Sequence, residues 1–200
     1  MMHTITAKEI RIGKGTVHCL TAGNRGCRDI LLLHGMKFNT ATWHNLGTLH
    51  ELAAAGFHAV AIDLPGFGKS PAGEAEHTAT IKAFIQAEQL DRPVLVGPSM
   101  GGRVALEFTL DHPHLVDGLV LVGSVGVTEN QKRLAAIKVP TLVVWGGDDA
   151  VSPLADGQLL AKEIPGARLV VIDNAPHPCY LDQPERWHRE LLTFLSAHFG

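Results

Sequence analysis

The segment Val94-Leu95-Val96-Gly97-Pro98-Ser99-Met100-Gly101-Gly102 limits what this chain can fold into more than any other stretch. A short apolar run ends at Gly97, a serine follows two positions later, and Gly101 and Gly102 lead into the helix-compatible stretch Arg103-Val104-Ala105-Leu106-Glu107-Phe108. The order is strand, tight turn, helix, with Gly-x-Ser-x-Gly at the turn, an arrangement known as a nucleophile elbow. Its serine takes up a strained backbone conformation, and the residues two positions to either side approach each other too closely for large side chains. The hydroxyl is thereby held clear of the backbone at a helix N-terminus, where developing negative charge is favoured.

The rest of the chain supplies a frame for such a turn. Ile30–Leu33, Ala59–Ile62, Val94–Val96, Leu119–Val122, Thr141–Trp145 and Leu169–Ile172 are short continuous apolar runs, as expected of strands buried on both faces of a parallel sheet. His3–Ile12 and Thr16–Ala22 flank Gly13-Lys14-Gly15 and predict an antiparallel hairpin. Helical patterns fall between the runs, over Asn45–Ala55, Thr78–Leu90, Gly101–His112, Pro153–Glu163 and Pro184–Ala197. In the last of these, Trp187, Leu191, Phe194 and Leu195 form one apolar stripe. Strand and helix alternate, so the expected architecture is α/β: a mostly parallel twisted sheet of about eight strands with helices on both faces. Ligands bind such sheets at the C-terminal ends of the strands. No repeat, low-complexity tract or linker divides the chain, and residues 1–200 are expected to form one domain.

Composition excludes several functions. The formal net charge is −3 with no basic block, so no nucleic-acid partner is expected. No apolar run approaches the length of a membrane span, and Met1–Thr6 has neither the basic nor the apolar region of a secretory signal. Cys19, Cys27 and Cys179 are odd in number and widely spaced, which suits a reduced, cytoplasmic setting better than a disulfide framework. His-Glu-x-x-His is missing and His112-Pro113-His114 reads as a solvated helix end, so no metal is expected. The glycine-rich turn after a strand holds the serine rather than a phosphate loop, and no cofactor is expected.

A serine hydroxyl attacks poorly unless a base takes its proton, and that base needs an acceptor to orient it. On an elbow sheet the acid and then the histidine follow the serine in the chain. Gly146-Gly147-Asp148-Asp149 lies directly after the run Thr141–Trp145, and downstream of it stand His177, His188 and His198. His188 and His198 fall in the terminal helix, whereas His177 sits in Asn174-Ala175-Pro176-His177-Pro178, a loop directly after Leu169–Ile172. His177 is therefore the candidate base. Spacing alone leaves Asp148 and Asp149 both open as the acid.

Leu31-Leu32-Leu33-His34-Gly35, Asp63-Leu64-Pro65-Gly66-Phe67-Gly68-Lys69-Ser70, the elbow, Trp145-Gly146-Gly147-Asp148-Asp149 and the His177 loop together resemble an α/β-hydrolase from end to end. Within that superfamily, His34–Phe38, Trp43–His50 and His177–Glu185 are similar to the small lidless CIB and abhydrolase-fourteen group. The resemblance implies that the acid stands three residues after a glycine and four before a proline. Gly146 and Pro153 then select Asp149. It also implies an oxyanion hole built from the backbone N–H groups of Met36 and Met100. His34 is implied to be structural, and Asp63 to shape a neighbouring turn.

Members with a lid insert it where this chain has only Val125–Val139, room for a loop and one short helix. An open site without a cap domain is expected, with Phe38, Trp43, Phe67 and Tyr180 in strand-end loops that could line it. The leading expectation is a serine hydrolase cleaving small carboxylic esters through Ser99, His177 and Asp149. The resemblance also implies a second possibility, transfer of an acyl group from a protein amine to a thiol such as coenzyme A. A third is a ligand-binding or interaction protein on the same fold.

Overall fold

Eight strands form one sheet in the order β1-β2-β4-β3-β5-β6-β7-β8. The computed structural model describes residues 4–200. The hairpin is β1 (Thr6–Ile12) and β2 (Gly15–Ala22), antiparallel with Thr6 opposite Thr21; His3, at the start of the expected strand, lies outside the described residues. β3 (Asp29–Leu32), β4 (His58–Ile62), β5 (Val94–Pro98), β6 (Gly118–Val122), β7 (Thr141–Gly146) and β8 (Arg168–Ile172) run parallel to one another. β2 joins this parallel set antiparallel to β4.

Side chains alternate across the sheet, and the alternation divides the core in two. Leu31, Leu33, Val60, Ile62, Leu95, Leu119, Leu121, Val143 and Trp145 face one side. There they meet α3 (His77–Glu88), α4 (Met100–Asp111) and α6 (Leu154–Glu163) through Ile81, Phe84, Leu106, Phe108 and Leu160. Ile30, Leu32, Ala59, Ala61, Val94, Val96, Val120, Val122, Leu142 and Val144 face the other side. Against them pack α1 (Thr40–Asn45), α2 (Thr48–Ala54) and α8 (Pro184–Phe199) through Trp43, Leu49, Leu52, Trp187, Leu191 and Leu195. Burying one such aliphatic or aromatic side chain stabilises the fold by about 1.5–3 kcal/mol relative to leaving it in water. A strand with both faces covered must therefore be apolar at every position, which is why these runs do not alternate in sequence.

The helix expected over Asn45–Ala55 is two helices, α1 and α2. Gly47 separates them with a φ of 82°, a left-handed conformation that interrupts a right-handed helix and that glycine adopts without steric cost. Between β6 and β7 the chain makes only α5 (Val127–Asn130) and a 3-10 segment over Gln131–Ala136. Among the described residues no cap covers the C-terminal ends of the strands. A further short helix, α7 (Cys179–Asp182), follows the His177 loop.

Candidate active site

Ser99 is the single residue between β5 and α4. Its φ of 51° and ψ of −115° are unusual for a residue with a side chain and cost about 1–3 kcal/mol. Backbone hydrogen bonds hold it there. Its N–H donates to Val122 O at 2.9 Å, and its carbonyl accepts from Arg103 N at 3.1 Å and Val125 N at 3.3 Å. The turn closes tightly enough that a Cβ on Gly97 would stand 2.3 Å from Gly101 O, and one on Gly101 would stand 2.6 Å from His34 O. Both glycines are thus required by close backbone approach.

The loops after β7 and β8 bring Asp149 and His177 together, with His177 Nδ1 2.8 Å from Asp149 Oδ2. A carboxylate can only accept, so the shared hydrogen sits on Nδ1 and Nε2 keeps its lone pair. The other oxygen, Asp149 Oδ1, accepts from Val151 N and Ser152 N, both at 2.8 Å, which fixes the carboxylate in the turn. The Asp149 side chain is fully buried, while that of His177 is 17% exposed. Asp148 is exposed, and among the described residues its carboxylate has no hydrogen-bond partner.

Ser99 and His177 line one cavity of about 460 Å³ at the C-terminal end of the sheet. No hydrogen bond joins the Ser99 hydroxyl to His177 among the described residues; such contacts commonly tighten only when substrate binds. Apart from Ser99, His177 and Lys37 at the mouth, the wall is apolar, with Phe38, Met100, Val122, Val125, Val151 and Tyr180 contributing. Met36 is 66% exposed and Val151 64% exposed, and both stand on this cavity's rim. The backbone N–H groups of Met36 and Met100 donate to no other group among the described residues, and both residues lie beside Ser99 in the cavity wall.

Two of the four aromatic residues expected to line the site do not. Trp43 is fully buried, its Nε1 donates to Leu33 O at 3.0 Å, and its ring packs on Tyr180 and Trp187. It is core, because the apolar face of α1 turns toward the sheet. Phe67 packs against His34 and His77 and lies away from the cavity. Phe38 and Tyr180 do line it. Lys37, Val122, Val125, Val151 and Pro178 line it as well and were not singled out from the sequence. The only signal available for them was their position in or next to strand-end loops.

The neighbouring titratable groups have structural duties. His34 is buried, accepts from Leu64 N at 3.0 Å through Nε2, and shares a 2.8 Å contact with Gly35 O through Nδ1. Burial lowers its pKa, so it stays neutral. Asp63 accepts from Thr40 N at 2.7 Å and Lys69 N at 2.8 Å, closing the turn beside it. Burial pushes the Cys179 thiol up to about 12, which removes it as a rival nucleophile near the cavity. A second cavity, of about 480 Å³, opens near the N-terminal ends of β3 and β4. Its Arg25, Arg28 and Asp29 are paired within the chain, to Glu88, Asp117 and His58.

Comparison with known proteins agrees with this fold. The family described as alpha/beta hydrolase fold matches residues 30–131. ABHD14B of Pongo abelii, provisionally named a protein-lysine deacylase, is 39% identical over 198 residues, covering 95% of this chain and 89% of that protein. Its Homo sapiens counterpart, named in the same way, is 41% identical over 177 residues, covering 84% of this chain and 83% of that protein. A crystal structure of a CIB-like hydrolase from Thermoplasma acidophilum superposes with a TM-score of 0.92 at 30% identity, covering 96% of this chain and 98% of that one. With matches of this extent, the chain belongs to the α/β-hydrolase fold family, in the group that includes ABHD14B and CIB-like hydrolases.

Proposed function

We propose that this protein is a serine hydrolase that cleaves acyl groups from small carboxylic esters through an acyl-enzyme on Ser99. The observation that carries the reading is one cavity holding a strained elbow serine, a histidine oriented by a buried carboxylate, and two unengaged backbone amides. Ser99 Oγ attacks the carbonyl carbon while His177 Nε2 takes the hydroxyl proton. The carbonyl oxygen, now negative, accepts from the Met36 and Met100 N–H groups; losing one such donor typically costs on the order of 10²–10³ in rate. As the intermediate collapses, His177 returns the proton to the departing alcohol. Water then attacks the acyl-enzyme, giving its proton to His177, and the acid leaves with Ser99 restored. Asp149 holds the imidazole in the right tautomer and stabilises its charged form.

Hydrolysis of p-nitrophenyl acetate, butyrate and octanoate by the wild type and Ser99→Ala tests this. Turnover that disappears with Ser99 is the expected result. A slow rate unchanged by the substitution would instead favour a ligand-binding role on the same fold.

A second reading keeps the acyl-enzyme and changes its partners. The relatives named for protein-lysine deacylation, together with the open rim at Met36 and Val151, favour an acylated protein as donor and a thiol such as coenzyme A as acceptor. Product analysis of an acylated peptide with and without coenzyme A separates the two. Among the described residues no helix is long and apolar enough to cross a membrane. The three free cysteines suit the reduced, cytoplasmic setting we propose.

A further inference from the structure

We infer that the Tyr180 hydroxyl is a specificity element: it donates a hydrogen bond to an oxygen carried on the substrate's acyl chain, so the site favours hydroxy-, oxo- or carboxy-acyl groups over plain alkanoyl groups. The inference rests on the acyl-hydrolase reading above.

Tyr180 is the only tyrosine in the chain and stands three residues after His177, in α7. Its ring is wedged among Trp43, with centroids 5.3 Å apart, and Trp187, at 6.2 Å. It is only 2% exposed, yet it lines the cavity that holds Ser99. A buried tyrosine normally finds a partner for its hydroxyl. The buried indoles of Trp43 and Trp145 do so here, donating to Leu33 O and Ser152 O, whereas that of Trp187 has no partner among the described residues. The Tyr180 hydroxyl has no hydrogen-bond partner among the described residues, and it is not one of the polar atoms sealed from solvent. Tyr180 lines this cavity, and a ligand bound there can supply the partner its hydroxyl lacks.

The surroundings give that hydroxyl its selectivity. The side chains of Phe38, Met100, Val122, Val125 and Val151 accept a hydrocarbon chain but offer an oxygen carried on that chain nothing. Away from the groups that meet the reacting carbonyl and from Lys37 at the mouth, a single donor among apolar side chains rewards a ligand that brings an acceptor, and is left unsatisfied by one that does not. Burial raises the phenol pKa above its ordinary range, so the group stays a donor at neutral pH. Lys37, at the same mouth, has no ion-pair partner among the described residues, which extends the preference to acyl groups ending in a carboxylate.

Because Tyr180 is unique, a ¹³C label at tyrosine Cζ gives a single NMR signal. Ser99→Ala protein carrying this label is titrated with N-acetylcysteamine thioesters of butyric, 3-hydroxybutyric and succinic acids. The expected result is a Cζ shift with the two oxygen-bearing thioesters and not with butyryl, together with binding tighter by about tenfold or more. In parallel, the ratio of kcat/KM for 3-hydroxybutyryl to that for butyryl falls at least about tenfold in Tyr180→Phe. No Cζ shift with the oxygen-bearing thioesters at millimolar concentration, or an unchanged ratio, overturns the inference. Binding is read without turnover, so the two readings fail separately. Selective binding without wild-type hydrolysis would overturn only the hydrolase reading, and hydrolysis without selectivity only this one.

Discussion

A Cβ placed on Gly123 would stand 3.1 Å from Asp149 Oδ2 and 3.3 Å from His177 Nδ1. The residue after β6 thus packs closely against the hydrogen bond between His177 and Asp149. Gly123 also has a φ of 50°. Gly123→Ala should lower kcat on p-nitrophenyl acetate by about tenfold or more, since small displacements of catalytic groups are costly. Its backbone strain should destabilise the fold by about 1–2 kcal/mol. Steady-state kinetics paired with urea unfolding would check both; full activity would mean the dyad has more room than the geometry gives it.

Asp149→Asn should reduce kcat by about 10³–10⁴, because the amide favours the wrong imidazole tautomer. Asp148→Asn should change it less than about twofold, its carboxylate being solvent-exposed. Side-by-side turnover numbers for the two variants decide which aspartate orients His177.

Alkylation should distinguish the three cysteines. Burial pushes the thiols of Cys19 and Cys179 up to about 12, while Cys27 is half-buried at the surface. Iodoacetamide at pH 8 should therefore modify Cys27 alone in the folded protein and all three residues in denaturant. Intact mass spectrometry reads the count, and early modification of Cys179 would contradict the packing around the His177 loop.

Stability should fall on the acid side. Burial lowers the pKa of both His34 and His188 below the ordinary histidine value of about 6.5, so the unfolded chain binds more protons than the folded one below that pH. Their contribution is complete above about pH 6.5 and is lost as pH drops toward their lowered values, by up to ~1.4 kcal/mol per pH unit for each. Urea unfolding from pH 5 to 8 should show this slope, and His188→Gln should make it shallower. Equal stability at pH 5.5 and 7.5 would count against it.

The sheet was legible because strands covered on both faces must be apolar throughout, and five of the six apolar runs are such strands; the sixth, β8, was expected to be buried on both faces but is an edge strand with Leu169, Val170 and Val171 only half-buried. Boundaries drifted where one residue decides them: Gly47 looks tolerable inside a helical pattern until its backbone turns left-handed. The helix α7 has four residues, too few to show a period. Asp148 and Asp149 are chemically identical in sequence; the fold separates them by burying Asp149, whose Oδ1 accepts from two amides while Oδ2 meets His177, and leaving Asp148 exposed. Trp43 and Phe67 failed as pocket residues for a related reason, since an aromatic side chain in a strand-end loop can turn inward or outward and composition does not say which.

The order of the loops along the chain has a consequence for biosynthesis. Ser99 leaves the ribosome long before His177, which lies in the loop after β8, the strand at one edge of the sheet. Until that last strand docks, a nascent chain carries a serine with no base to activate it. Any fragment that stops short of residue 177 is in the same position. On the proposed chemistry, synthesis past residue 177 is what arms Ser99.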